Sequence, residues 1–261
     1  LGPAAAAAAM AACFLPVSLG LLIPLARLVE LARHSPVTRG LGDAVIHSLT
    51  LASSAGVLAA LLGLAAAYAL RSRRPLPGAA ARLAGLGYAV PGSVAALGVL
   101  VVLGTAQSGL DALMRTLTGA PLPFLLTAGA GALLFAYVSR FAAAAIGPAE
   151  SALGRITPTL DAAARTLGAS PVEIARRVHA PLILPGVLLA AGLVFVEVLK
   201  ELPATMILRP FNFDTLAVTA HNYASDERLG SAALPALLIA LIALAPMVWI
   251  ARRITRTEQA G

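Results

Sequence analysis

The chain has 261 residues, of which 59% are hydrophobic and only 12% are charged, and its mean hydropathy is +0.88. A soluble domain is nearer half apolar and a quarter charged, so this composition excludes an ordinary water-soluble protein and predicts a membrane protein. The formal net charge of +7 comes almost entirely from arginines that cluster between apolar runs, which indicates membrane topology rather than nucleic-acid binding.

Six apolar segments are long enough, or nearly long enough, to cross a bilayer. A helix needs about 20 apolar residues to cover the hydrocarbon core. Lipid offers no partners to unpaired backbone groups, so these segments are predicted to be helices. In chain order the predicted spans are 4–26, 44–70, 83–110, 116–139, 180–196 and 229–251. The predicted fold class is an all-α membrane protein with about six transmembrane helices, in a single domain over residues 1–261.

The arginines predict how these spans are oriented. Three regions carry most of them: the loop after the second predicted span, the long loop after the fourth, and the C-terminal end. With six spans, these regions lie on one side of the membrane. The excess of positive charge in cytoplasmic loops therefore places them, and both termini, in the cytoplasm. The residues concerned are Arg71, Arg73, Arg74, Arg82, Arg155, Arg165, Arg176, Arg177, Arg252, Arg253 and Arg256.

Neither a metal centre nor an internal disulfide is expected. Cys13 is the only cysteine, and no two of the four histidines have the spacing of a close metal-ligand pair. The first residue is Leu1 rather than Met, and the alanine-rich start lacks the basic residues that begin a signal peptide. We therefore expect the chain to be a fragment or a trimmed half of a longer protein.

The polar segment 147–181 is too long for a simple connection, and its local signals predict two short helices at an angle. Thr157 followed by proline predicts a capped helix start, and Gly168 predicts a left-handed cap at the end of that helix. Residues 170–173 form a capping box for the second helix, which is predicted to end at Pro181. These local signals alone fit equally well a surface hairpin that joins two spans and an elbow that docks a soluble partner.

Residues 162–168, Ala-Ala-Ala-Arg-Thr-Leu-Gly, resemble the EAA loop of ABC importer permeases. The family pattern is Glu-Ala-Ala, three residues, Gly, nine residues, then Ile-x-Leu-Pro. The nine-residue spacing after Gly168 leads here to the sequence Val-His-Ala-Pro at 178–181. Alanine replaces the glutamate of the pattern, and Asp161 stands one place earlier. Either Asp161 substitutes for that glutamate, or the partner recognises the shape of the loop.

The resemblance implies that this loop is a coupling helix held in a cleft of a cytoplasmic ATPase subunit. The implied coupling residues are Asp161, Ala162, Ala163, Ala164, Gly168, Val178 and Pro181. It also implies a second transmembrane half, an extracytoplasmic substrate-binding protein, and a location in the bacterial inner membrane, surrounded by lipid. No cofactor is expected in this chain, since ATP and magnesium belong to the partner ATPase. No nucleic-acid partner is expected either.

Within this family the chain is similar to ferric iron permeases, and the similarity covers roughly residues 17–253. The matching segments are 87–92, 199–205, 208–211 and 213–216. Members of that group commonly have two related six-span halves, and this chain resembles the second, C-terminal half. The implied function is inward transport of ferric iron by alternating access. Related permeases carry thiamine, phosphonates, sulfate, molybdate or polyamines, and these substrates remain alternatives.

Several charged residues lie in or near the predicted spans, where ionisable groups are costly and often functional. The residues that could line a path or form a gate are Glu197, Lys200, Glu201 and Arg209. The alternative for the first three is a mutually neutralising cluster that reaches the membrane interface. Arg140, near the inner end of the fourth predicted span, either pairs with Glu150 or faces the cytoplasm.

Other protein classes lack their sequence signals here. The Gly-x4-Gly-Lys-Ser/Thr loop of an ATPase is absent, and Lys200 is the only lysine, so the energy for transport must come from another chain. The His-Glu-x-x-His and Gly-x-Ser-x-Gly patterns of membrane enzymes are also absent. An ion-coupled secondary transporter would need a coupling site near the membrane midplane. The charged residues are instead predicted near the ends of the spans.

Overall fold

The computed structural model describes residues 2–37, 39–71, 75–121, 126–127 and 129–258, which form helices and no strand. In these ranges twelve α-helices follow one another: α1 Pro3–Val17, α2 Ile23–Arg33, α3 Leu41–Arg71, α4 Pro75–Gly85, α5 Gly92–Thr118, α6 Ala130–Gly154, α7 Pro158–Thr166, α8 Pro171–Glu173, α9 Ala180–Leu199, α10 Pro203–Leu208, α11 Leu216–Ser225 and α12 Leu229–Glu258. Two π-helical turns, Ser18–Leu22 and Ile174–His179, and a 3₁₀ turn, Leu86–Ala89, complete the described helical segments.

Six continuous helices are long and apolar enough to cross a membrane, which confirms the predicted number. The first joins α1 and α2 through a π turn, and the fifth joins α8 and α9 in the same way. The six spans are Pro3–Arg33, Leu41–Arg71, Gly92–Thr118, Ala130–Gly154, Pro171–Leu199 and Leu229–Arg252.

The predicted boundaries of the third and fourth spans are wrong. The third begins at Gly92 rather than residue 83, because Val90 is extended and Pro91 is the N-cap of α5. That helix ends at Thr118, and its C-cap residue Gly119 has a left-handed backbone with φ 74°. The fourth span is therefore α6, not residues 116–139; residues 122–125 and 128 of that predicted span lie outside the described residues.

The second helix of the polar segment does not end at Pro181, as predicted, but continues into the fifth span. In the π turn just before this proline, the Ala180 N–H donates to the carbonyl of Ala175, five residues back. The same arrangement precedes Pro24, where the Ile23 N–H donates to the Ser18 carbonyl. Proline has no N–H to donate, so it would leave a gap in the regular pattern of helical hydrogen bonds. In a π turn each N–H pairs with the carbonyl five residues back instead of four, and this shift lets the helix continue past the proline.

The second, fourth and fifth spans form the centre of the bundle, where α3, α6 and α9 contact one another. Small residues face each other there and allow close helix approach. A Cβ on Gly56 would lie 2.8 Å from the Ala191 carbonyl oxygen, and one on Gly63 would lie 2.8 Å from the backbone of Ala145. Around this centre, α5 packs on α6, while α2 and α11 pack on α12.

We expect Gly63→Leu to destabilise the protein by roughly 1–3 kcal/mol, because a side chain at this position must push α6 away from α3. Gly98→Leu is the matched control, since a Cβ on this α5 glycine meets nothing within 4 Å. Thermal unfolding of the detergent-solubilised protein measures both variants. Equal melting temperatures for the two variants would contradict the close packing of α3 on α6.

The first span leaves its apolar side chains uncovered. α1 has no buried residue, and Met10 and Phe14 are about two-thirds exposed, at 65% and 66%. On α5, Leu97 and Val101 are similarly uncovered. Such continuous apolar surface is compatible with a hydrocarbon environment and not with water.

Candidate functional site

The helix α7 ends in a left-handed turn at Gly168, whose φ is 80°. The Gly168 N–H donates to the Arg165 carbonyl over 2.9 Å, and the Ala169 N–H donates to the Ala164 carbonyl over 3.1 Å. The two bonds form a Schellman motif, which pairs carbonyl groups that the helix end would leave unsatisfied. Residues with a Cβ rarely adopt this φ, so glycine permits the bend. The predicted cap at Gly168 is confirmed.

We define the elbow as residues 158–179, from the start of α7 to the end of the second π turn; its second half is the first part of the continuous helix Pro171–Leu199, whose remainder is α9. The predicted capping box at the start of α8 is confirmed: the Glu173 N–H donates to the Ser170 hydroxyl over 3.3 Å, and the Ser170 N–H donates to the Glu173 carboxylate over 3.1 Å. The predicted start of α7 at Pro158 is confirmed, with Thr157 as the N-cap residue, but Thr157 makes no side-chain capping bond. Its hydroxyl lies 2.8 Å from the Thr159 hydroxyl and receives no backbone N–H.

Four polar side chains form a hydrogen-bonded and ionic group between the elbow and the bundle, and we call this group the clasp: Tyr68, Arg71, Asp161 and His179. The Oδ1 atom of Asp161 accepts a hydrogen bond from Nε2 of His179 at 2.8 Å, and its Oδ2 atom lies 3.7 Å from Nη2 of Arg71. The Tyr68 hydroxyl lies 3.0 Å from Nδ1 of His179. The clasp therefore joins α7 and the π turn to the end of α3.

Arg71 extends these connections to the fourth span. Its Nη1 atom donates to the Leu153 carbonyl over 2.8 Å and to the Ile156 carbonyl over 2.9 Å. These carbonyls lie at and just beyond the end of α6, where a helix has no backbone donors left to pair them. A single arginine thus links the elbow to the end of α6.

The hydrogen bond from His179 holds the pKa of the Asp161 carboxyl below its ordinary value; partial burial acts in the opposite direction, and the charges of Arg71 and Arg165 lower the pKa further. A lowered pKa means that the folded protein favours the ionised carboxylate. The stabilisation is therefore fully present above the ordinary pKa and is lost only as the pH falls through the lowered value. Asp161 is an anion at neutral pH.

The predicted coupling residues divide between two faces of the elbow. Asp161 points into the clasp, whereas Ala162 and Ala163 are exposed. A groove of about 410 Å³ lies beside the bend, and its lining includes Ala164, Leu167, Gly168, Glu173 and Val178. Leu167 is 87% exposed and Val172 is 75% exposed, so the outer face carries large apolar side chains. Pro181 lies in the first turn of α9 and is exposed.

The predicted gate residues do not form one cluster but belong to three separate ion pairs. Glu197 and Lys200 pair at 2.9 Å near the end of α9, where Lys200 is 57% exposed. Glu201 turns inward and pairs with Arg140, and Arg209 pairs with Asp214. Their role as a path or gate stays a prediction, now with the contacts specified. The first two pairs lie at or just beyond the end of α9 that is opposite to the elbow, and the third lies in the connection between α10 and α11.

Arg140 pairs with Glu201, whose side chain is only 8% exposed. The predicted alternative of a pair with Glu150 is therefore wrong. Arg140 lies inside α6 and also donates to the Val90 carbonyl over 3.3 Å. Glu201 accepts the Ala204 N–H over 3.2 Å, which satisfies a backbone donor at the start of α10. The ion pair thus joins the fourth span to the short helix that follows the fifth.

Two further buried contacts surround this ion pair. The Thr205 hydroxyl donates to the Glu201 carbonyl over 2.7 Å and lies 2.5 Å from the Tyr137 hydroxyl. A Cβ on Gly92 would lie 2.5 Å from the Glu201 carboxylate and 3.0 Å from the Arg140 guanidinium, so glycine makes room for the pair at the start of α5. The sequence signal that Arg140 lies inside the span is the apolar run 141–146, which continues the span beyond the charge.

The connection between α10 and α11 is fixed at both ends and carries an aromatic residue at its tip. Asp214 pairs with Arg209, and its carbonyl oxygen lies 3.0 Å from Nδ1 of His47, whose ring stacks on Phe213 at 3.9 Å between centroids. Phe211 at the tip is fully exposed. Among the described residues, no three His, Cys, Asp or Glu side chains are grouped closely enough to hold a metal ion.

Two curated proteins are similar to this chain. One is Fe(3+)-transport system permease protein FbpB 2 of Haemophilus influenzae, 30% identical over 115 residues; the match covers 44% of this chain but only 23% of that protein. The other is putative 2-aminoethylphosphonate transport system permease protein PhnV of Salmonella typhimurium, 27% identical over 222 residues, or 83% of this chain and 76% of that protein.

Solved structures share the fold. A bacterial ABC transporter involved in import of the acidic polysaccharide alginate matches with a TM-score of 0.70 and 15% identity, over 95% of this chain and 94% of that one. The MetNI methionine ABC transporter, in an inward-facing conformation, matches with a TM-score of 0.57 and 18% identity, over 81% of this chain and 95% of that one. Residues 59–257 match the binding-protein-dependent transport system inner membrane component family. The chain therefore belongs to this family, the multi-pass inner-membrane permease components of ABC importers.

Proposed function

We propose that the chain moves ferric iron into the cytoplasm by alternating access, driven by ATP hydrolysis on a separate ATPase subunit. Both termini and the elbow lie in the cytoplasm in this proposal. A second transmembrane half completes the pathway, and an extracytoplasmic binding protein delivers the substrate. ATP and magnesium bind to the ATPase, because the P-loop pattern is absent from this chain.

The observation that carries the coupling role is the shape of the elbow. The Schellman bend at Gly168 fixes the angle between α7 and α8, and it projects Leu167 and Val172 away from the bundle. Large apolar side chains exposed to the cytoplasm favour a partner surface that covers them. Closure of an ATPase pair around this elbow would move it as a rigid body and switch the spans between inward-open and outward-open states.

The similarity to an Fe(3+) permease supports ferric iron as the substrate. A phosphonate is the second candidate, because the similarity to the putative 2-aminoethylphosphonate permease extends over a larger share of this chain. The two candidates differ in chemistry, one being a metal ion and the other a zwitterionic aminophosphonate. Direct uptake measurements therefore separate them.

The test is uptake of radiolabelled ferric iron and of radiolabelled 2-aminoethylphosphonate by cells that express the complete transporter and lack their own importers. We expect ATPase-dependent accumulation of iron and none of the phosphonate. The matched control replaces the P-loop lysine of the partner ATPase, which should abolish uptake. Accumulation of the phosphonate alone would overturn the iron assignment and leave the permease function in place.

A further inference from the structure

The position of Asp161 decides whether its carboxylate contacts the ATPase, in place of the glutamate of the family pattern, or whether the ATPase recognises only the shape of the elbow. The family pattern has glutamate at the next position, which is Ala162 here. Both carboxylate oxygens of Asp161 face the bundle, one toward His179 and the other toward Arg71, and the side chain is 19% exposed. Since Asp161 is the only acidic residue of α7, this helix offers no free carboxylate to a partner.

The attachment of α7 to the rest of the protein is otherwise slight. None of its residues 159–166 is fully buried, and its main contact with another helical element is with the π turn Ile174–His179. Packing of apolar side chains therefore contributes little to holding α7 in place. The clasp supplies a charge-assisted hydrogen bond and a partly buried ion pair, which are stronger than their exposed equivalents.

The clasp reaches every span at the centre of the bundle. Tyr68 and Arg71 belong to the second span, and His179 belongs to the fifth. Arg71 also binds the carbonyls of Leu153 and Ile156 at the end of the fourth. A displacement of α7 that keeps these bonds must therefore be shared by all three spans.

We propose that Asp161 is a positioning residue: through His179 and Arg71 it fixes α7 to the second, fourth and fifth spans, so that a push on the elbow moves the spans. The proposal rests on the coupling function proposed above. Docking to the ATPase then depends on the outer face of the elbow and not on Asp161. Loss of Asp161 leaves docking intact and removes the transmission of movement.

The first test uses the assembled transporter in proteoliposomes and compares Asp161→Asn with the wild type. We expect the variant to keep its bound ATPase and its basal ATP hydrolysis. Asparagine still accepts from His179 but loses the charge that strengthens this bond and the ion pair with Arg71, so uptake and the stimulation of hydrolysis by loaded binding protein should fall about tenfold. Loss of the ATPase from the variant would overturn the proposal, since Asp161 would then be a docking contact; unchanged uptake would overturn it as well.

A rescue experiment separates positioning from a general loss of structure. Asp161→Cys and His179→Cys are combined with Cys13→Ser, because Cys13 is the only natural cysteine and is exposed. A short bis-methanethiosulfonate then joins the two cysteines: each thiolate displaces one methanesulfinate and forms a disulfide, so the covalent link that replaces the clasp can be reduced again. We expect cross-linking to restore stimulated hydrolysis and reduction to abolish it again. A cross-linked protein that stays uncoupled would contradict the proposal.

A second test needs no substrate, so its outcome is independent of the proposed function. Trypsin cleavage after Arg165, on α7, is timed for the solubilised wild type and for Asp161→Asn. Cleavage should be about tenfold faster in the variant, because α7 opens more often without the clasp. Cleavage after Arg39, an exposed site outside the elbow, serves as the internal control and should not change. Equal cleavage at Arg165 would overturn the clasp even if the transporter carried another substrate.

Discussion

We expect the Gly168→Val variant to reach the membrane and to lose most of its substrate uptake. The glycine has a φ of 80°, and a Cβ there would meet nothing within 4 Å. The cost of valine therefore lies in the backbone and not in a clash. A left-handed conformation costs an ordinary L-residue about 1–2 kcal/mol, and a branched Cβ makes it less favourable still. The bend should relax, and the outer face of the elbow should turn away from the ATPase.

Gly168→Asn is the matched control for this prediction, because asparagine tolerates the left-handed region far better than valine. We expect the asparagine variant to retain most of the uptake. Membrane insertion of both proteins is checked by immunoblotting, and uptake is measured in the same cells. Equal loss in the two variants would show that the position does not tolerate any side chain, which contradicts the backbone explanation.

Breaking the buried ion pair should have the largest effect on stability. Arg140→Met leaves Glu201 buried without its partner, and we expect a loss of roughly 3–5 kcal/mol. Glu201→Gln keeps an acceptor for the Ala204 N–H but leaves the charge of Arg140 unpaired, so it should be similarly costly. The double variant buries neither charge, and most of the stability should return.

Thermal unfolding of the solubilised protein completes this double-mutant cycle. Lys200→Met is the matched control: its ion pair with Glu197 is partly exposed, and we expect a cost of only about 0–1 kcal/mol. If Arg140→Met unfolds at the same temperature as Lys200→Met, the pair between Arg140 and Glu201 does not stabilise the fold. If the double variant is less stable than either single variant, its two residues act independently.

Features held by local hydrogen bonds could be predicted from the sequence. The bend at Gly168 and the capping box of Ser170 and Glu173 depend on residues within five positions of each other, so their residue types are sufficient. The number of spans was also predictable, because each span is a long apolar run. The exception is Thr157, whose hydroxyl lies close to another side chain instead of receiving a backbone N–H.

Features that depend on distant residues could not be predicted. The sequence predicts that a span ends near Arg140, since a charge commonly marks such an end, and this boundary is wrong because Arg140 pairs with a residue 61 positions further along. The clasp pairs Asp161 of α7 with Arg71 at the end of the second span, far away in the sequence. Continuation of the helix through Pro181 depends on a π turn, for which the sequence carries no specific signal.

The most direct test of the permease assignment measures uptake into proteoliposomes that contain the complete transporter, with loaded binding protein outside and either ATP or ADP trapped inside. We expect accumulation against a gradient with ATP and none with ADP, and no accumulation without the ATPase subunit. Accumulation driven by a proton or sodium gradient in the absence of the ATPase would contradict this assignment and would identify a secondary transporter.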